Sequence, residues 1–166
     1  MQALYKQLLE VCQKLLVLLN LQKKELEKKS KSEQVYEYAK KCIGLNMGSP
    51  YGELACAKSL NRVFKEAIGH EVGGDISTYR MYASLQTDKR FIEVFEPQRG
   101  NIILSPTGHS NGKIPHGHVG ICGENGVIMS HNSTTFKWSD HWNIETWNAH
   151  YREAGGYITK YYRIVA

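Results

Sequence analysis

The chain has 166 residues, of which 42% are hydrophobic and 22% charged, enough for one folded core with a short appendage. No apolar run approaches the roughly 18 to 20 residues of a membrane-spanning helix, and four widely spaced cysteines (Cys12, Cys42, Cys56, Cys122) without a CxxC pair argue against a disulfide scaffold and for a reducing compartment at synthesis. A net charge of +5 favours polyanionic surroundings without choosing between nucleic acid, anionic lipid and a cell-wall polymer.

Residues 3 to 29 contain neither Gly nor Pro. Leu4, Leu8, Val11, Leu15 and Leu18 recur at alternating spacings of four and three, a short heptad seam. Leu9, Cys12, Leu16, Leu19 and Leu21 widen it beyond what a two-stranded coiled coil needs. Packing on the chain's own domain, self-association and contact with a membrane surface compete as explanations. Lys6, Glu10 and Lys14 interrupt the apolar run, so no signal-peptide pattern is present and cytoplasmic synthesis is expected. The lysine-rich stretch Lys23, Lys24, Lys28, Lys29 and Lys31 reads as a solvated helix end or linker rather than a nucleic-acid patch. A boundary follows, separating residues 1–31 from a domain of residues 32–166.

A second helix, Ser32 to Ile43, places Val35, Tyr36, Ala39, Cys42 and Ile43 on one face and ends at Gly44. The irregular Gly48-Ser49-Pro50-Tyr51-Gly52 leads into a third, 56 to 68, with Ala57, Leu60, Phe64, Ala67 and Ile68 inward and Gly69 as its stop. Short helices are expected at Ile76 to Gln86 and Lys89 to Phe95. Beyond Arg99 the period becomes that of strands: Asn101 to Ser105, His118 to Cys122, Val127 to His131, and Tyr157 to Val165. Asn125-Gly126 is a hairpin signal between the second and third, Thr107 to Gly117 a loop, and Asn143 to Glu153 one more short helix. Helices followed by an antiparallel sheet define an α+β fold.

Cys56 falls in the first turn of its helix, where unpaired N–H groups and the macrodipole favour a thiolate. Depressing a cysteine pKa from about 8.5 makes it a nucleophile at neutral pH. The alternative is a cysteine buried as a small hydrophobe. A nucleophile needs a base, and the base needs an orienting partner. With a two-residue hairpin loop, His118 and His131 are expected on one face of the sheet, supplying base and partner, with Asn132 the alternative third member. A zinc site of His116, His118, Cys122 and His131 is disfavoured because His118 and Cys122 are about 13 Å apart along a strand; no metal or cofactor is expected. Trp138, Trp142 and Trp147, near Asp140 and His141, are either core residues or a stacking wall for a sugar or peptide.

The combination Ala55-Cys56-Ala57, Gly100-Asn101-Ile102-Ile103, Gly117-His118-Val119-Gly120-Ile121 and Ser130-His131-Asn132-Ser133 resembles the NlpC and CHAP group of papain-like peptidoglycan hydrolases over Ser32 to Val165. Ser105-Pro106-Thr107-Gly108, Trp147 and Tyr162-Arg163 are similar to small phage-encoded lysins of that group. The resemblance implies a papain-like domain in which Cys56 is the nucleophile, His118 the general base and His131 (or Asn132) the third residue. Its substrate is then an amide bond of bacterial peptidoglycan, reached through holin-type release or as part of a virion. The group usually has Asp or Gln before the cysteine; here Ala55 leaves the oxyanion to the backbone of Cys56 or to Tyr51. Competing functions are a cysteine peptidase or acyltransferase on another substrate, and a non-catalytic module whose leucine-rich helix mediates assembly or membrane-surface binding.

Overall fold

The computed structural model describes residues 2–26 and 29–165, and divides into two units, residues 1–30 and residues 31–166. The first is the helix α1, Gln2–Leu26. Leu8, Leu9, Val11, Leu15, Leu16, Val17, Leu18 and Leu19 along it are all exposed. Leu4, Leu21 and the basic residues Lys23, Lys24 and Lys28 of the sequence reading lie outside the side chains described. Among the described residues no helix is long and apolar enough to cross a membrane.

The second unit is α+β. Helices α2 (Lys31–Lys41), α3 (Cys56–Ile68) and α4 (Thr78–Thr87) precede six strands: β1 (Phe91–Val94), β2 (Ile102–Ser105), β3 (His118–Cys122), β4 (Val127–Asn132), β5 (Lys137–Asn143) and β6 (Lys160–Ile164). They form one antiparallel sheet in the order β1-β6-β2-β3-β4-β5. Between β5 and β6 lie α5, Ile144–Trp147, and the π-helical turns Asn148–Ala154 that continue it. Asn143 starts this segment with a reciprocal capping box to Thr146.

Alternation along the strands sends side chains to two cores. On one face Ile102, Leu104, Val119, Ile121 and Met129 pack with Val35 and Ala39 of α2, Leu60 and Phe64 of α3 and Met81 and Leu85 of α4. On the other, Ile103, Cys122 and Ile128 meet Trp147, Tyr151 and Tyr157. The sheet is thus buried on both faces, and β2 and β3 are buried at every residue, accounting for their continuous apolar runs.

Three sequence expectations change. Lys89 to Phe95 is not a helix: Phe91–Val94 is the edge strand β1, paired with Tyr161 to Ile164 of β6, because a partner distant in sequence outweighs a weak local preference. Lys137 to Asn143, where two of the three tryptophans lie, is a strand that the sequence reading did not anticipate. Most consequential is the β3–β4 register. The connection is a three-residue 3₁₀ turn, Glu124–Gly126, with Asn125 and Gly126 both at positive φ (53° and 76°). Gly120 therefore faces Ser130 and Cys122 faces Ile128. One extra loop residue reverses the parity, so His118 and His131 lie on opposite faces of the sheet rather than on one.

Buried Asn61 of α3 fixes a loop that matters below. Its Nδ2 donates to the carbonyls of Gly73 (3.0 Å) and Asp75 (3.1 Å), and its Oδ1 accepts from the N–H groups of Val72 and Gly73, both at 3.0 Å. All its hydrogen-bonding capacity is used, which makes a buried amide tolerable. The segment that follows, Ile76-Ser77-Thr78, reaches the rim of the site.

Candidate functional site

A cavity of about 590 Å³ collects Cys56, His118 and His131 together with Ile76, Thr78, Thr107, His116, His141, Trp142 and Tyr151. Cys56 is the first residue of α3 and is half-buried. The N–H groups of Cys56 and Ala57 are directed at its sulfur and favour the thiolate, as expected for a helix start. Burial outweighs them and pushes the thiol up to about 11. The expectation of a depressed pKa is therefore corrected: at neutral pH the resting group is a thiol.

His118 opens β3 and is 8% exposed. Its Nε2 lies 3.0 Å from the Ser130 hydroxyl across the β3–β4 ladder. The ring stacks on Trp147 (centroids 5.3 Å apart, 26° between planes) and on Tyr151 (5.7 Å, 18°). Trp147 is itself fixed by an indole hydrogen bond to Ser105 Oγ (3.0 Å). Burial first, then the neighbouring His141, His131 and His150, lower the His118 pKa to about 3, so the imidazole is neutral over the physiological range. A neutral thiol and a neutral imidazole thus share one cavity. Ser130 was missed from sequence; the only signal for it is its place one residue before His131, which becomes meaningful once the loop length is known.

His131, on the other face, is 1% exposed and makes no hydrogen bond to His118. Its Nε2 is 2.8 Å from the Gly52 carbonyl and its Nδ1 3.3 Å from Ser59 Oγ of α3. Asn132, the alternative, is committed to the β4–β5 turn: its Oδ1 accepts from the N–H groups of Thr134 (2.9 Å) and Thr135 (3.1 Å). Tyr51 is 40% exposed, with the Lys58 ammonium 5.8 Å from its ring centroid, and is not among the residues lining the cavity. Tyr151 is a cavity residue, and burial, then the nearby Cys56, raise its phenol well above the usual range, keeping it a neutral donor.

Ala55 has a steric origin. It is fully buried, and a Cβ placed on Gly48 would come within 2.2 Å of the Ala55 Cβ and 2.7 Å of Ser59 Oγ. A longer side chain before Cys56 has no room there. Opposite, Thr78 and Thr107 close the wall: their hydroxyls are 3.0 Å apart, and Thr107 Oγ1 accepts from the N–H of Gly117 (2.8 Å), just before His118.

Of the three tryptophans only Trp142 faces the cavity; Trp138 and Trp147 are fully buried in the two cores. His116 is an exposed rim residue, Cys122 lies buried in the second core, and among the described residues no three His, Cys, Asp or Glu side chains are grouped to hold a metal ion.

One cavity thus holds a thiol at the start of α3 and an imidazole at the start of β3, with the Ser130 hydroxyl beside the imidazole. No protein-family model matches the chain, and a search of curated proteins finds no similar sequence.

Proposed function

We propose that the chain is a papain-like cysteine hydrolase that cleaves an amide bond in bacterial cell-wall peptide, acting as a lysin. The observation that carries the chemistry is the placement of Cys56 and His118 in one cavity with His118 Nε2 on Ser130. With Nε2–H donating to Ser130 Oγ, Nδ1 is the nitrogen that takes the thiol proton. The Cys56 sulfur forms a bond to the substrate carbonyl carbon, the C–N bond breaks, and His118 passes the proton to the leaving amine. Water activated by the same imidazole then hydrolyses the thioester and restores the thiol. The N–H groups at the start of α3 stabilise the oxyanion, with the Tyr151 hydroxyl in the role first expected of Tyr51. With both partners neutral at rest, charge separates as the carbonyl is attacked, in a cavity where Cys56 is half-buried and His118 buried.

The wall substrate rests on the resemblance to NlpC and CHAP hydrolases, and the net charge of +5 is compatible with an anionic polymer. Digestion of purified peptidoglycan, with mass analysis of the fragments, tests it. New amide cleavage by wild type is expected; no cleavage, with hydrolysis of a protein or thioester substrate instead, transfers the chemistry to the alternative class.

Ser130→Ala is expected to lower turnover roughly 10- to 100-fold by releasing the His118 ring, whereas Asn132→Ala, confined to the turn, leaves turnover within about threefold; steady-state kinetics on one fragment-releasing substrate compares them. Tyr151→Phe keeps the ring stacked on His118 and removes the hydroxyl. A drop of about tenfold or more in kcat with KM unchanged is its expected signature.

For α1 we propose self-association through the exposed leucine face. Deleting residues 1–30 is expected to lower the oligomeric state seen by light scattering while hydrolysis persists. Loss of binding to anionic vesicles without a change in mass would identify a membrane-surface helix instead.

A further inference from the structure

We infer that His131 is a positioning residue that holds the turn delivering Cys56, so that two consecutive residues of β4 fix both partners of the thiol–imidazole pair. The inference rests on the reading of Cys56 as nucleophile, but its geometry is independent of any substrate. A carbonyl oxygen can only accept, so the 2.8 Å contact to Gly52 places the proton on His131 Nε2. Nδ1 is then an acceptor, and the Ser59 hydroxyl at 3.3 Å donates to it. One buried ring thereby joins the 3₁₀ turn Gly52–Leu54 to the first turn of α3, on either side of Cys56.

The joint is reinforced from both ends. Ser59 N–H donates to the Ala55 carbonyl (2.7 Å), closing the first turn of α3. The segment after α2 is held to β5 by Gly44 N–H on the Trp138 carbonyl (2.8 Å) and Trp138 N–H on the Leu45 carbonyl (2.9 Å), and Trp138 is the residue facing His131 across the β4–β5 ladder. Gly52 sits at φ 60°, a left-handed conformation that the clamp must maintain. On the opposite face of β4, Ser130 holds His118. Neither of the His131 ring nitrogens remains to accept a proton from Cys56 or to orient His118; the residue acts through the backbone it holds.

The test uses the full chain and two readouts that need no substrate: amide hydrogen exchange over residues 52–57, and alkylation of Cys56 by iodoacetamide relative to the same thiol in denatured protein. His131→Leu is expected to speed exchange there about tenfold or more and to change the Cys56 alkylation ratio by about fivefold or more, while exchange in β3 stays within about threefold of wild type. His131→Gln, whose amide can reach the Gly52 carbonyl, is expected to recover most of both. In hydrolysis, the Leu variant should lose kcat about tenfold with KM within about threefold. Unchanged exchange and alkylation in folded His131→Leu, or a Gln variant no better than Leu, overturns the inference. Should His131→Leu fail to fold, Ser59→Ala removes only the second hydrogen bond, and unchanged exchange and alkylation in that variant overturns it equally. Failure of the enzyme reading shows separately, as wild type and Cys56→Ala being indistinguishable in hydrolysis while the clamp readouts respond.

Discussion

Cys56→Ala is expected to reduce amide hydrolysis by at least about 10⁴-fold, to the level of background, because the proposed mechanism forms its acyl intermediate on the Cys56 sulfur. Stability should change by no more than about 1 to 2 kcal/mol, since the side chain is small and half-buried. The pairing of the two measurements matters: an inactive but unfolded variant says nothing about chemistry, while a folded variant that still releases wall fragments removes Cys56 from the mechanism. Cys122→Ala is the control. That thiol is buried in the core beside Ile103 and Trp147, so its loss should cost stability and leave the chemistry of folded protein unaltered.

The second large effect is on stability against pH. His118 is held neutral in the fold, with its pKa lowered to about 3, while an unfolded histidine titrates near 6.5. Below 6.5 the unfolded state binds a proton that the folded state does not, so the stability from this group is complete above about pH 6.5 and is lost as pH falls towards 3. The slope is about 1.4 kcal/mol per pH unit, and the total about 4 to 5 kcal/mol. His131 and His141, also lowered chiefly by burial, act in the same direction. Urea midpoints from pH 8 to pH 4 should therefore fall steeply, and His118→Gln should flatten the dependence by about one proton. A wild-type profile flat from pH 7 to pH 5 would contradict a buried neutral His118.

How far the sequence led is clear from individual residues. Cys56 at a helix start and His118 at a strand start could be placed because both sit where a local signal changes: Gly and Pro giving way to a helical period, and glycine-rich loop giving way to an apolar run. Their sharing of one cavity was not legible, because α3 packs on one face of the sheet while His118 points to the other, towards Trp147 and Tyr151. The face on which His131 lies was misread for a definable reason. Asn-Gly signals a two-residue loop, but here Glu124 joins it in a three-residue turn, and parity along a strand depends on that single residue. Ser130, not His131, is therefore the β4 residue that meets the His118 ring. Local pattern also could not reveal β5 or β1: the polar Lys137, Ser139, Asp140 and Asn143 obscure the first, and β1 owes its strand to a partner some 70 residues later. The raised thiol pKa was illegible too, because the helix-start donors are local whereas the burial that outweighs them is made by the whole cavity.

The Glu124–Gly126 turn acquires a significance that its exposed position would not suggest. Surface loops ordinarily absorb insertions and deletions at little cost. Here the number of residues, more than their identity, is under constraint: removing one would carry Ser130 to the face of α3 and His131 to that of Trp147, leaving every side chain present and neither half of the site supported. Loop length thus serves as a structural code, read out about 13 to 17 Å along the strand.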